Sequence, residues 1–377
     1  MRRTTMRLTF LKSALLAALW LAAGSLAHAA APLPALGTDA KQNTVSGLSS
    51  GAFMAAQFSV ANSAAVSGAG IVAGGPFYCA GLGSLNGAER FLTTATTLCM
   101  RPLGPVPSGA AAWQAAQKFA GQGLIDPVAN IQRQRLYIFT GASDSIVLSK
   151  VVAQTRAFYQ NAGVPDAQIR YVDNVNAGHA LLTANEDDLA CPANAAPNLN
   201  NCGFFQSQDI LRQLYGQLKP PVAKLSGELR DFDQTEFSKK GYTGLSDIGH
   251  IYIPAACRKE SCRAHVVFHG CTQQDNGNDK SIGMGMGMGM GNRFYTSTGY
   301  NELADSNRIV VLYPQIRSNP MHNPQGCWDF WGYSSKDPAN PDYYAKNAPQ
   351  MSAIRAMVDR LNSPRLKGDR HEREHPR

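Results

Sequence analysis

Charged residues are scarce in this sequence. Asp, Glu, Lys and Arg make up 16% of the 377 residues, against 44% hydrophobic residues. That balance excludes a disordered chain and predicts a globular body with a sizeable core. Tight Cys-x-x-Cys pairs, the usual signature of a zinc site, are also missing. Beyond the N-terminal segment no apolar run is long enough to cross a bilayer. The formal net charge of +8 looks basic, but four of its cations are Arg2, Arg3, Arg7 and Lys12. Without them 31 basic residues face 27 acidic ones, a net +4, too little to argue for nucleic acid.

Those four cations open a segment of recognisable design. They precede an apolar run from Ala14 to Leu26 and the small-x-small site Ala27-His28-Ala29. This is the layout of a secretory signal peptide over residues 1–29. The rival, a membrane anchor, needs roughly 20 apolar residues, and the run is shorter. All eight cysteines lie beyond it: Cys79, Cys99, Cys191, Cys202, Cys257, Cys262, Cys271 and Cys327. An even count in an exported chain predicts four disulfides, in the periplasm or outside the cell. Eight cysteines allow 105 pairings. Proximity favours Cys191–Cys202 and Cys257–Cys262.

Residues 30–42 are rich in Ala and Pro and read as a loose lead-in. Strands are expected at 43–47, 66–73, 136–140, 169–172, 250–253, 265–268 and 309–313. Helices are expected at 50–60, 150–161, 204–218, 300–306 and 350–361. Such alternation predicts an α/β fold with a mostly parallel sheet covered on both faces. Pro220-Pro221 is the best internal boundary, yet neither half carries a complete core, so one domain over 30–363 is expected. The alternating Gly/Met run 283–291 predicts a mobile loop, either an apolar lip over a site or a repeat expansion. Residues 364–377 are charged and predict a disordered tail.

Gly47-Leu48-Ser49-Ser50-Gly51 follows a strand and precedes a helix. Gly-x-Ser-x-Gly in that context is the sharp turn that lifts a nucleophilic serine above a sheet edge. The motif occurs once in this chain, and outside that context the same letters read as an ordinary turn. A serine nucleophile needs a base and the base needs an orienting carboxylate. Asp144 and His179 both follow expected strands and come in the order Ser, acid, His. Taken singly, Asp144 also fits a helix N-cap and His179 a packed loop histidine. Oxyanion donors are expected at the N–H of Ser50 and in the segment Phe268-His269-Gly270-Cys271. In ordinary α/β-hydrolases that segment precedes the nucleophile; here it comes after the histidine. A circularly permuted sheet resolves the order.

Gly47 to Gln57, Phe139-Thr140-Gly141-Ala142-Ser143-Asp144, Phe268-His269-Gly270-Cys271 and Gly326-Cys327-Trp328-Asp329 together resemble the catalytic domains of extracellular poly(3-hydroxybutyrate) depolymerases, of the circularly permuted, single-domain type. The resemblance runs from about residue 40 to about 362. It implies Ser49 as nucleophile, His179 as base, Asp144 as orienter, and the N–H groups of Ser50 and Cys271 as oxyanion hole. It also implies the pairs Cys79–Cys99 and Cys271–Cys327 beside the two above, and Trp328 in the substrate crevice. Phe330, Trp331 and Tyr333 then read as an apolar wall, or as core. The Gly/Met run is longer than the family usually shows. No separate polymer-binding domain is visible, which favours amorphous polymer or soluble oligomers as substrate.

The function expected is ester hydrolysis through an acyl-serine, by a monomer needing no metal or cofactor. Its partner is a polyester or a hydroxyalkanoate oligomer. The alternatives are a feruloyl or acetylxylan esterase, a non-catalytic binding protein on a hydrolase scaffold, and a granule-surface protein.

Overall fold

The computed structural model describes residues 30–365 except 84, 86, 88, 239–240 and 276–290. The signal segment, most of the Gly/Met run and most of the charged tail lie outside the described residues. Eleven strands are present among those described. They are β1 (Thr44–Leu48), β2 (Gly68–Val72), β3 (Arg135–Phe139), β4 (Ile169–Val172), β5 (Leu181–Thr183), β6 (Leu189–Ala190), β7 (Leu199–Asn201), β8 (Glu228–Asp233), β9 (Ile248–Ile253), β10 (Arg263–Phe268) and β11 (Ile309–Tyr313).

Eight of them form one sheet in the order β4-β3-β2-β1-β10-β11-β9-β8. The first six in that order run parallel, and β9 and β8 close one edge antiparallel. Strands from both sides of Pro220-Pro221 thus share a single sheet. The chain order is what a circular permutation demands. β10, carrying the oxyanion segment from the far part of the chain, lies directly beside β1, with Gly47 opposite Phe268. This is a circularly permuted α/β-hydrolase fold.

The central strands are buried end to end because helices cover both faces. On one face of β1, Thr44 bonds the Tyr215 hydroxyl at the end of the helix Gln206–Tyr215. Ser46 bonds Tyr300 of the helix Tyr300–Ser306. On the other face Gly47 meets the first turn of the helix Ser50–Ala61. Every residue of that helix is buried, which explains its nearly uniform apolar sequence.

The lead-in departs from expectation. Leu33 and Leu36 are buried, and Leu36 and Thr38 donate backbone bonds to Leu361 O at the end of the helix Pro349–Asn362. Its prolines bar a regular ladder, but not an extended path that packs two leucines. The helices Arg90–Thr96 and Gly109–Gly121 and the small sheet β5-β7-β6 were not expected. The small sheet's strands are two or three residues long, too short to show a period.

Four disulfides pair Cys79 with Cys99, Cys191 with Cys202, Cys257 with Cys262, and Cys271 with Cys327, and no described cysteine is free. These are the same four pairs that the resemblance implies. No helix among the described residues is long and apolar enough to cross a membrane.

Candidate active site

The site begins at the end of β1. Ser49 has φ 57° and ψ −122°, a left-handed backbone that an L-residue adopts only under constraint. Its N–H donates to Val72 O at 2.9 Å, while its own carbonyl starts the following helix by accepting from Ala52 and Phe53. The flanking glycines are there for space. A Cβ on Gly47 would fall 2.3 Å from Gly51 O, and one on Gly51 would fall 2.2 Å from Phe268 O. Only Gly-x-Ser-x-Gly lets the helix start this close to β10.

Asp144 and His179 come from the loops after β3 and β4. They meet as a buried pair, His179 Nδ1 lying 2.9 Å from Asp144 Oδ2. The second carboxylate oxygen accepts the N–H groups of Ile146 and Val147 at 2.8 and 2.9 Å. Those bonds hold the acid in one orientation and require it as an acceptor. Asp144 thus caps a turn with one oxygen and meets the histidine ring with the other.

The oxyanion segment sits beside the serine. A Cβ on Gly270 would lie 3.4 Å from Ser49 Cβ. His269 is fully buried; its Nε2 accepts from Ile316 N–H at 3.2 Å, so its Nδ1 carries the proton and donates to Gly270 O at 2.7 Å. Burial pushes its pKa down to about 4, so it stays neutral. Ser50 is also buried, and its Oγ accepts from Trp328 N–H at 3.3 Å.

The expected aromatic wall is rearranged. Trp328 is completely buried against Phe268 and His269, with ring centroids 4.8 and 5.6 Å away. Its neighbour Cys327 is bridged to Cys271 of the oxyanion segment, and in this structure Trp328 packs in the core. Phe330 is buried too, stacked on Phe53 at 4.3 Å. Trp331 and Tyr333 are half-buried, 5.0 Å apart, and the Tyr333 hydroxyl donates inward to Cys327 O.

Asp329 organises that turn. Its carboxylate accepts the N–H groups of Trp331, Gly332, Tyr333 and Ser334 and the Ser334 hydroxyl. Burial raises its pKa, and the bonds from Ser334, Gly332 and Trp331 oppose the rise.

Three amide side chains were not anticipated. Asn194 Oδ1 accepts from His179 N–H and Ser145 N–H, and its Nδ2 donates to Ser143 O, tying the base loop to the acid loop. Asn198 Nδ2 donates to His179 O. Gln273 Oε1 accepts the Gly270 N–H. The only signal for the first two was their place inside the Cys191–Cys202 loop. Among the described residues no cluster of His, Cys, Asp and Glu is arranged to hold a metal.

No family model matches the chain. It is 40% identical over 344 residues to the poly(3-hydroxybutyrate) depolymerase of Delftia acidovorans, an alignment covering 89% of this chain and 63% of that protein. The chain therefore spans less than two thirds of that relative's length. It is 31% identical over 352 residues to the polyhydroxybutyrate depolymerase of Talaromyces funiculosus, covering 89% of this chain and 92% of the relative. The crystal structure of the PHB depolymerase from Penicillium funiculosum superposes with a TM-score of 0.74 at 30% identity, covering 88% of this chain and 98% of the other. A serine-to-alanine PHB depolymerase complexed with an R3HB trimer gives a TM-score of 0.75 at 29% identity, with the same coverage. With a strained serine at the tip of β1, a buried acid–histidine pair and a likeness to these proteins over nearly nine tenths of its own length, the chain belongs to the polyhydroxybutyrate depolymerase family.

Proposed function

We propose that this chain is an exported, single-domain serine esterase that hydrolyses poly(3-hydroxybutyrate) or its oligomers through an acyl-enzyme on Ser49. The observation that carries the reading is the position of Ser49. It stands at a positive-φ turn with Gly270 against it, in a fold that contains an oriented histidine. A relative solved with an R3HB trimer supports the substrate class. Four disulfides support an oxidising compartment, the periplasm or the medium.

Ser49 Oγ attacks the ester carbonyl. His179 takes the serine proton and later gives it to the leaving hydroxyl. The acceptor Asp144 holds the histidine in the tautomer whose Nε2 is free to act as base, and stabilises the imidazolium that forms. The N–H groups of Ser50 and Cys271 receive the oxyanion; losing one such donor typically costs about 3 kcal/mol of barrier. Water then cleaves the acyl-serine. The half-buried edges of Trp331 and Tyr333 offer apolar contact for the polyester methyl groups.

The test is a Ser49→Ala variant assayed on emulsified polyhydroxybutyrate beside feruloyl and acetyl-sugar esters. The expected result is activity on the polyester above the other two, and a loss of kcat on the order of 10⁶-fold in the variant. Full activity in Ser49→Ala, or preference for a sugar ester, would refute the reading.

A further inference from the structure

Gln273 is 1% exposed, and every polar atom of its side chain is used. Oε1 accepts the Gly270 N–H at 2.6 Å. Nε2 donates to Pro197 O at 2.8 Å and to Asn198 O at 3.3 Å. The partners are one donor and two carbonyls, so the amide fits in one orientation only. Asn198 in turn holds His179 O at 2.8 Å. Through the turn at Pro197 and Asn198, this side chain therefore connects the peptide beside Ser49 to the loop of the histidine, two segments well separated in the sequence.

The geometry on the Gly270 side matters most. Gly270 O accepts from His269 Nδ1–H at 2.7 Å and from Gln273 N–H at 3.3 Å. Its own N–H is held by the Gln273 side chain. The peptide carrying the Cys271 N–H is thus fixed from its carbonyl side. In a trans peptide the N–H points away from that carbonyl, so its direction is fixed as well.

We infer that Gln273 is a positioning residue that sets the oxyanion donor Cys271 N–H and the base His179 in register with each other. The inference rests on the proposed serine-esterase reading and deepens it. Its role is exerted through the two loops and not through contact with substrate. Such a link acts on the transition state, where both groups must be in place at once, and leaves ground-state binding largely untouched.

Two variants test it on a soluble ester, p-nitrophenyl butyrate. Gln273→Met keeps the length and removes every hydrogen bond. Gln273→Glu keeps an acceptor for the Gly270 N–H and loses the donors to Pro197 and Asn198. The expected result for Gln273→Met is a fall in kcat of about 10²-fold with KM within about threefold, as for a misplaced catalytic group. Gln273→Glu should lose at least about tenfold, because the histidine side of the link is cut. Affinity for an alkyl boronate, which forms a tetrahedral adduct on serine, should weaken in parallel with kcat/KM. A folded Gln273→Met enzyme with kcat and boronate affinity within about threefold of the parent overturns the inference. If neither variant folds, Gln273 is structural and the inference is equally overturned. Ser49→Ala in the same assay separates the two levels. If it stays active, the esterase reading fails; if it is inactive while the Gln273 variants are not, only the link fails.

Discussion

Replacing Gly51 by alanine adds one methyl group at the most crowded point of the site. Its Cβ would lie 2.2 Å from Phe268 O, 2.4 Å from His269 O and 2.7 Å from Phe268 C. All three are backbone atoms, so no rotamer change relieves the clash. Ordinary contact begins at 3.4 Å, and the helix start and the end of β10 must separate by about 1 Å to approach it. Overpacking of this kind costs about 3 kcal/mol, a fall in Tm of roughly 6 °C for a domain of this size. The catalytic consequence should be larger than the stability consequence. The carbonyls that must retreat belong to the two residues before Gly270 and Cys271, so the oxyanion donor moves with them. A displacement of about 1 Å costs about 10²-fold in kcat. The assay is thermal unfolding together with kcat and KM on a soluble ester. The control is Gly121→Ala, at the end of a helix with nothing within 4 Å of its added Cβ, which should be neutral or slightly stabilising. A Gly51→Ala enzyme with parental Tm and kcat would refute the close-approach argument for the motif.

Asp144→Asn should leave the fold intact and drop kcat by about 10⁴-fold. The asparagine Oδ1 keeps the Ile146 and Val147 N–H groups, so its NH2 must face His179 Nδ1 and force the proton onto Nε2, where the base is needed; circular dichroism and kcat read the two effects separately. Stability should decline as the pH falls below about 6.5. Burial lowers the folded pKa of His265 to about 3 and of His269 to about 4, so only the unfolded chain takes up their protons in that range. Their contribution is complete above the unfolded pKa and lost toward the folded one, at about 1.4 kcal/mol per pH unit for each. Denaturant titrations at several pH values should give a shallower decline for His265→Gln, and an unchanged slope would refute the assignment.

Long periodic elements and the serine turn were legible in the sequence. Residues 169–172 and 300–306 have the expected bounds, and 50–60 and 350–361 are within a residue or so. The strand–turn–helix context points to Ser49 as the candidate, because the requirement for glycine on both sides is local and steric. Asp144 and His179 were legible through their order after strand ends. Less visible were groups whose role is defined only across the fold. Gln273, Asn194 and Asn198 act through backbone atoms of distant segments, and a backbone partner leaves no letter in the sequence. Trp328 shows the same limit. Its motif places it next to the oxyanion segment, but its complete burial against Phe268 and His269 is a packing outcome that the motif does not carry. The lead-in differs from its composition because composition registers proline's effect on ladders and not the burial of Leu33 and Leu36.

The sheet order also determines when the site can exist. Ser49, Asp144 and His179 all precede residue 263, where the strand that flanks β1 begins. A chain synthesised only that far holds the nucleophile and its base, yet β1 has one unpaired edge and nothing beside the serine to receive a negative charge. β10 must then add to that edge, matching Thr44 with His265 across more than half the chain, before β11 can pair with it in turn. Pairing over such a separation is slow, and an open, apolar, parallel edge invites association with other chains in the interval. In the proposed esterase reading, the permutation thus delays hydrolytic competence until β10 is in place, and it leaves the interior strand of the folded protein as the vulnerable rim of the partly made one.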